Sequence, residues 1–371
     1  MVSTAQNKKG RPITITWKVA TQLPGANGKS SIGVAGPING VSNNVMIVAG
    51  GANFPQGMPW EGGKKFFSDK IHVLEKQGDE LVWNRNVKNT LLAPLAYCGT
   101  TSTEKGIVCV GGENDNGISN KVFILKWNTS DKNVIIKPLP ELPEALTNVA
   151  LTHIGNVVYA AGGDMKNLSS DRFLSLDLND KYSKWKSLTD LPLAVANASL
   201  IAQEGKLYLI GGRSKTLSGI SELHHSTFVY DIDKRTWNKR ADICDGKIIS
   251  NLSAAAGIAI GKDYILMIGS DDGETFSKIE SYISKISNAN SPEEKAKLTE
   301  EKNALIIHHK GFSKKLLVYD IVSDCWTNIG EYPYPAQVTT TAVKWNGNIV
   351  VSNGEIKPGL RTPDIIVGKI K

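Results

Sequence analysis

Apolar runs punctuated by glycine recur along this chain. Four of them end in Gly-Gly: M-I-V-A-G-G at 46–51, I-V-C-V-G-G at 107–112, V-Y-A-A-G-G at 158–163 and L-Y-L-I-G-G at 207–212. Two looser copies follow, I-L-M-I-G-S at 265–270 and I-V-V-S-N-G at 349–354, which makes six. Short apolar runs closed by glycine predict strands ending in tight turns, and six copies of one pattern predict a repeat architecture. The glycines are placed just after an inner strand, where the backbone must turn without a side chain.

A second marker follows the runs. Trp83, Trp185, Trp237 and Trp326 sit in short polar segments such as S-K-W-K-S-L. Leu191-Pro192 stands six and seven residues beyond Trp185, and Tyr332-Pro333 at the same offset beyond Trp326. In the second unit Ile136 takes the Trp position, with Leu142-Pro143 in register. The sixth unit has no such segment after it. The missing one lies at the other end of the chain, where Trp17 is followed by Leu23-Pro24 at the same offset. An N-terminal strand that completes the last C-terminal unit closes a ring and removes the free sheet edges of an open array. The expected fold is therefore all-β: one six-bladed β-propeller domain over residues 1–371, with four-stranded blades and outer-strand tryptophans between neighbours. This pattern of Gly-Gly followed by a later Trp resembles kelch repeats, and its glycines and tryptophans are read as scaffold.

The fifth unit carries an insertion at about 276–312. Ile279, Tyr282, Ile283 and Ile286 recur at helical spacing, and S-P-E-E at 291–294 supplies an N-cap, a first-turn Pro and a Glu at the third position. A helical excursion of this kind is a lid, a dimerisation surface or decoration.

Composition narrows the function classes. The chain has 371 residues with 41% apolar and 21% charged content, enough for a large core. Lys and Arg exceed Asp and Glu by 43 − 36 = +7, without a basic run, which disfavours nucleic acid and suits an anionic small substrate. No apolar stretch reaches the length of a membrane-spanning helix. The polar start at 1–10 has no hydrophobic signal core, leaving a cytoplasmic protein or a periplasmic one whose signal was removed. Cys98, Cys109, Cys244 and Cys325 lack metal-ligand or redox spacing, and Cys109 reads as a buried thiol. His224-His225 and His308-His309 are adjacent pairs that would face opposite ways in a strand, so no metal site is expected. S-D-D-G-E-T-F at 270–276 is close to the sialidase Asp-box but has the wrong spacing.

The strongest chemistry lies in N-G-E-I-K-P-G-L-R-T at 353–362. Lys357-Pro358-Gly359-Leu360 is a turn, with Pro and Gly at its two central positions. The reversal brings Glu355 near Arg361: directly opposite with a five-residue loop, one position out of register with a two-residue loop. From spacing alone the two residues are either a surface ion pair or a carboxylate and guanidinium beside the channel. The first-unit loop at 50–69, with Asn53, Trp60, Lys64 and Lys65, is a second candidate for ligand contact. Glu113 and Arg213 each follow a Gly-Gly directly, so they either ring the same channel mouth or are solvated polar residues.

N-G-E-I-K-P-G-L-R-T resembles the signature of bacterial N-acetylneuraminate epimerases, the kelch-type sialic acid mutarotases. G-G-A-N-F and G-G-K-K-F-F-S-D-K-I-H in the first unit, and the helical insertion before the signature, are similar to that family as well. The resemblance covers essentially the whole chain in rotated order, with a signature that is mid-chain elsewhere now closing the sequence. That order implies a cyclic permutation, which a ring of blades tolerates. The resemblance implies an isomerase interconverting the α and β anomers of N-acetylneuraminate, with Glu355 as general base and Arg361 binding the acidic sugar. Asn353, Asn53, Lys64, Glu113 and Arg213 are the further substrate-binding candidates. It implies no metal or organic cofactor, and a periplasmic enzyme that forms a homodimer. The alternatives are a non-catalytic kelch propeller that binds a protein or glycan partner, and a hydrolase or oxidase on the same scaffold, whose ligand sets are not found here.

Overall fold

The computed structural model describes residues 13–25 and 31–371; the polar start at 1–10 lies outside them. Six four-stranded antiparallel sheets stand around one axis. Their innermost strands are Ile38–Ser42, Gly99–Thr103, Ala150–Ile154, Ser199–Gln203, Ala256–Ile260 and Ala342–Trp345, and each neighbours the next around the ring. Ring closure is as the tryptophan offsets predict. The N-terminal strand Ile15–Gln22 is the outermost strand of blade six, paired antiparallel with Asp364–Ile370.

The apolar runs before each Gly-Gly are inner strands, the second from the channel in each blade. Strands such as Val45–Ala49, Gly106–Val110 and Lys206–Ile210 are almost wholly buried because both faces of each sheet pack against neighbouring blades. The innermost strands line the channel and are mixed, from G-T-T-S-T in blade two to A-G-I-A-I in blade five, so they carry no uniform apolar signature. Six principal apolar clusters result, one at each blade interface.

The tryptophans act as expected between blades. The indole N–H of Trp83 donates to the Gln22 carbonyl, Trp185 to Pro140, Trp237 to Thr189 and Trp326 to Ala241, each on the preceding blade. Trp17 does the apolar part of this work at the closure. It lies opposite Gly368, where an added Cβ would come within 2.4 Å of the indole, and meets the Tyr332 ring edge-on at 4.9 Å. Trp17→Ala should therefore cost about 3–5 kcal/mol of stability, the usual range for a large aromatic removed from a core, read as a lower urea midpoint. An unchanged midpoint would mean that the N-terminal strand does not hold the ring closed.

Between the second and third strands of blade five the chain leaves the sheet as two helices, α1 (Glu274–Asn288) and α2 (Pro292–Ile307). Ser291 caps α2 by accepting from the Glu294 N–H at 3.1 Å, as S-P-E-E predicts. The four cysteines are free thiols, and Cys109 is fully buried.

Candidate active site

Two backbone rings build the channel mouth. In each blade the residue after the Gly-Gly position forms an isolated antiparallel bridge with the linker leading to the innermost strand. These bridges are Ala35 with Ala52, Ala96 with Glu113, Thr147 with Asp164, Ala196 with Arg213, Ser253 with Asp271 and Val338 with Glu355. One residue past each linker partner, the backbone turns left-handed at Gly36, Tyr97, Asn148, Asn197, Ala254 and Thr339. Each of these six donates its N–H to the carbonyl of the equivalent residue in the preceding blade, closing a circle of hydrogen bonds. Thr339 is a β-branched residue at φ 53°, a costly conformation that only the whole circle enforces. The side chains at the six bridged positions are thus Ala52, Glu113, Asp164, Arg213, Asp271 and Glu355. Below them a cavity of about 400 Å³ follows the innermost strands.

Blade six carries the candidate pair Glu355 and Arg361. Asn353 takes the place of the first glycine in the left-handed region, φ 58°, which asparagine tolerates better than other side chains, and it is fully buried. Glu355 and Arg361 lie directly opposite each other, although the turn has only two central residues, Pro358 and Gly359. A bulge between Glu355 and Lys357 supplies the missing register position. Gly359, at φ 83°, makes the second central position of the turn possible and donates its N–H to Glu355 Oε1 at 2.6 Å.

Arg361 is deeply buried, its side chain 5% exposed against 18% for Glu355, and its Nη1 stands 3.4 Å from Glu355 Oε1. Among the described residues neither Nε nor Nη1 has a hydrogen-bond partner, and Nη1 has only the ion pair with Glu355. Phe54 lies under the guanidinium at 4.7 Å. A buried guanidinium with spare donors is costly unless something anionic completes it. This burial sets the pair apart from an exposed surface ion pair and makes it the candidate site.

Ring closure brings the first-unit loop to this hairpin. Pro59 and Trp60 cover the Gly359 turn. Asn53 donates to the Gly33 carbonyl at 2.9 Å, while its Oδ1 is buried with no hydrogen-bond partner among the described residues. Lys64 and Lys65 are both exposed, and it is Lys65 that reaches the mouth, 3.4 Å from Glu113 and over the rings of Phe67 and Tyr97. Arg213 makes a two-pronged pair with Asp164, at 2.6 and 3.3 Å, and stacks on Phe276 of α1. Asp164 also accepts from Ser169 and Asn148. Glu113 and Arg213 are therefore at the mouth, each already holding a partner of opposite charge.

Three groups escaped the sequence. Asp164 and Asp271 follow Gly163 and Ser270, the offset that singled out Glu113 and Arg213, and that rule would have found them. Tyr97 carries no such signal. Its phenol is pushed up to about 12, chiefly by burial and then by Glu355, with Arg361 opposing, so it stays a hydrogen-bond donor. The Asp271 carboxyl is pushed up to about 6 by burial and by Asp272, Glu355 and Glu280, against a hydrogen bond from the Gly273 N–H.

The family model for N-acetylneuraminate epimerase matches residues 2–136 and 139–371. The chain belongs to the N-acetylneuraminate epimerase family. Relatives in this family include the N-acetylneuraminate epimerase of Vibrio cholerae serotype O1, 40% identical over 131 residues, which are 32% of this chain and 32% of the relative. The Brucella melitensis biotype 1 N-acetylneuraminate epimerase is 28% identical over 254 residues, 67% of this chain and 63% of the relative. These alignments thus span from about a third to just under two-thirds of the relatives' own length. Among solved structures, that of YjhT superposes with a TM-score of 0.63 over 95% of this chain and 100% of that chain, at 14% identity, which shows a shared fold.

Proposed function

We propose that this protein is a mutarotase that interconverts the α and β anomers of N-acetylneuraminate. The observation that carries the proposal is Arg361: a buried guanidinium whose Nε and Nη1 make no hydrogen bond among the described residues, beside an acceptor carboxylate, suits an acidic sugar presenting a carboxylate and an anomeric hydroxyl. Family membership and the relatives named N-acetylneuraminate epimerase support the same reading.

In this mechanism Arg361 takes the sugar's carboxylate in its fork. Glu355, held in place by the Gly359 N–H, accepts the proton of the anomeric hydroxyl. The bond from the anomeric carbon to the ring oxygen breaks, the open keto form turns, and the ring closes on the other face as the proton is returned. Nothing is consumed. Phe54 and Tyr97 frame the guanidinium and hold it in one orientation, so the sugar meets a preformed anion site.

The test is proton NMR of freshly released α-N-acetylneuraminate. With protein present the α signal should decay to the equilibrium mixture faster than in buffer of the same pH. Equal rates would remove the substrate assignment.

A further inference from the structure

Ring opening needs two proton transfers, one from the anomeric hydroxyl and one to the ring oxygen, and Glu355 accounts for the first. We propose that Asp271 is the proton donor that works opposite Glu355, delivering a proton to the ring oxygen as the ring opens. The proposal rests on the mutarotase reading. As the C–O bond breaks, its electron pair goes to the ring oxygen, which takes the Asp271 proton and becomes a hydroxyl. The anomeric C–OH becomes C=O as Glu355 takes its proton. Reclosure runs both transfers backwards and regenerates both groups.

Placement selects Asp271. It occupies in blade five the bridged position that Glu355 occupies in blade six, with Ser253 and Val338 as the equivalent backbone partners. The two carboxyls are thus adjacent members of the ring at the mouth, near enough that Glu355 disfavours ionisation of Asp271. The other acidic members are occupied: Glu113 by Lys65, and Asp164 by Arg213, Ser169 and Asn148. Among the described residues Asp271 has no ion pair; its carboxylate accepts only the Gly273 N–H, at 2.8 Å. The charged groups facing it are all acidic: Asp272 on its own loop, Glu280 from α1 and Glu355 from blade six. The buried, unpartnered donors of Arg361 independently mark the same mouth as a place where an anionic ligand sits.

An acid that titrates close to the working pH is the efficient kind of proton donor. Asp271, raised to about 6, meets that condition, whereas the Tyr97 phenol near 12 is too weak.

Asp271→Asn is the deciding variant, because its amide oxygen can still accept from Gly273 and preserve the approach to α1. By the NMR assay its turnover should fall about 100-fold or more, with KM for the sugar within about threefold of the parent. In the parent, turnover should decline as pH rises through about 6, since the donor form of Asp271 is lost there. That decline should vanish in the Asn variant, and Asp271→Glu should recover part of the rate. A carboxyl raised on folding lends stability that is lost as pH rises through its folded value. The Asn variant should therefore melt no lower than the parent at neutral pH. Parental turnover with an unchanged pH profile in Asp271→Asn would overturn the proposal. So would a rate loss that tracks a lowered melting temperature. A parent that fails to accelerate the reaction would instead overturn the mutarotase reading, and this proposal with it.

Discussion

Glu355→Gln should slow the protein-catalysed approach of α-N-acetylneuraminate to equilibrium by about 10²–10⁴-fold, the range one positioned proton-transfer group contributes. The substitution keeps the shape. The Gln oxygen can still accept from the Gly359 N–H, and the bridge to Val338 involves only backbone. What is lost is the charge, and with it the capacity to take a proton. Arg361 keeps its Phe54 platform and gains a stronger need for an anion, so N-acetylneuraminate should still raise the melting temperature of the variant. A variant that binds and does not turn over separates catalysis from binding. Retained turnover would sink the role of Glu355 while leaving the substrate intact.

Arg213→Ala should destabilise the fold by about 3–5 kcal/mol, because it strands a buried carboxylate. The Asp164 side chain is 2% exposed, and both its oxygens face the guanidinium. The change also removes the stacking partner of Phe276 in the first turn of α1. A denaturation midpoint in urea measures the loss. The double variant Arg213→Met with Asp164→Asn should recover much of it, since neither charge is then left alone. The sequence made Arg213 a substrate contact. A scaffold role predicts a KM within about threefold of the parent for the folded fraction. An unchanged midpoint together with a raised KM would favour the substrate role instead.

Much of the fold was legible because its periodicity is written in residues that have few alternatives. Gly-Gly marks a backbone that is left-handed at two successive positions in the first four units, and tryptophans at a constant offset mark blade contacts. The apolar runs, read as inner strands, are the second strand of each blade, and the reason is physical. Burial on both faces makes a strand apolar, and only the second strands have it throughout. The hairpin register was legible only as two alternatives. The two-residue turn and the direct Glu355–Arg361 pairing are both realised because a bulge absorbs the difference, and a bulge leaves no mark in E-I-K-P-G-L-R.

Lys64 and Lys65 show a finer limit. Both are basic, adjacent and exposed, so composition treats them alike, yet only Lys65 reaches Glu113 and the ring of Tyr97. Tyr97 joined the site because the left-handed circle turns its ring into the mouth, a consequence of six blades meeting at once.

By itself the sequence determined six blades, closure by the N-terminal strand, a helical excursion in blade five, and a carboxylate and guanidinium on one hairpin. Those features are local or periodic, and side-chain volume, turn chemistry and spacing fix them. Only the tertiary structure decided that Phe54 and Trp60 meet Arg361 and Gly359 across the ring closure, that Arg213 is engaged by Asp164, and that Asp271 stands beside Glu355. Closing the ring puts residues some 300 positions apart into contact, Phe54 with Arg361 among them, and burial at that junction leaves Arg361 Nε and Nη1 with no hydrogen-bond partner among the described residues.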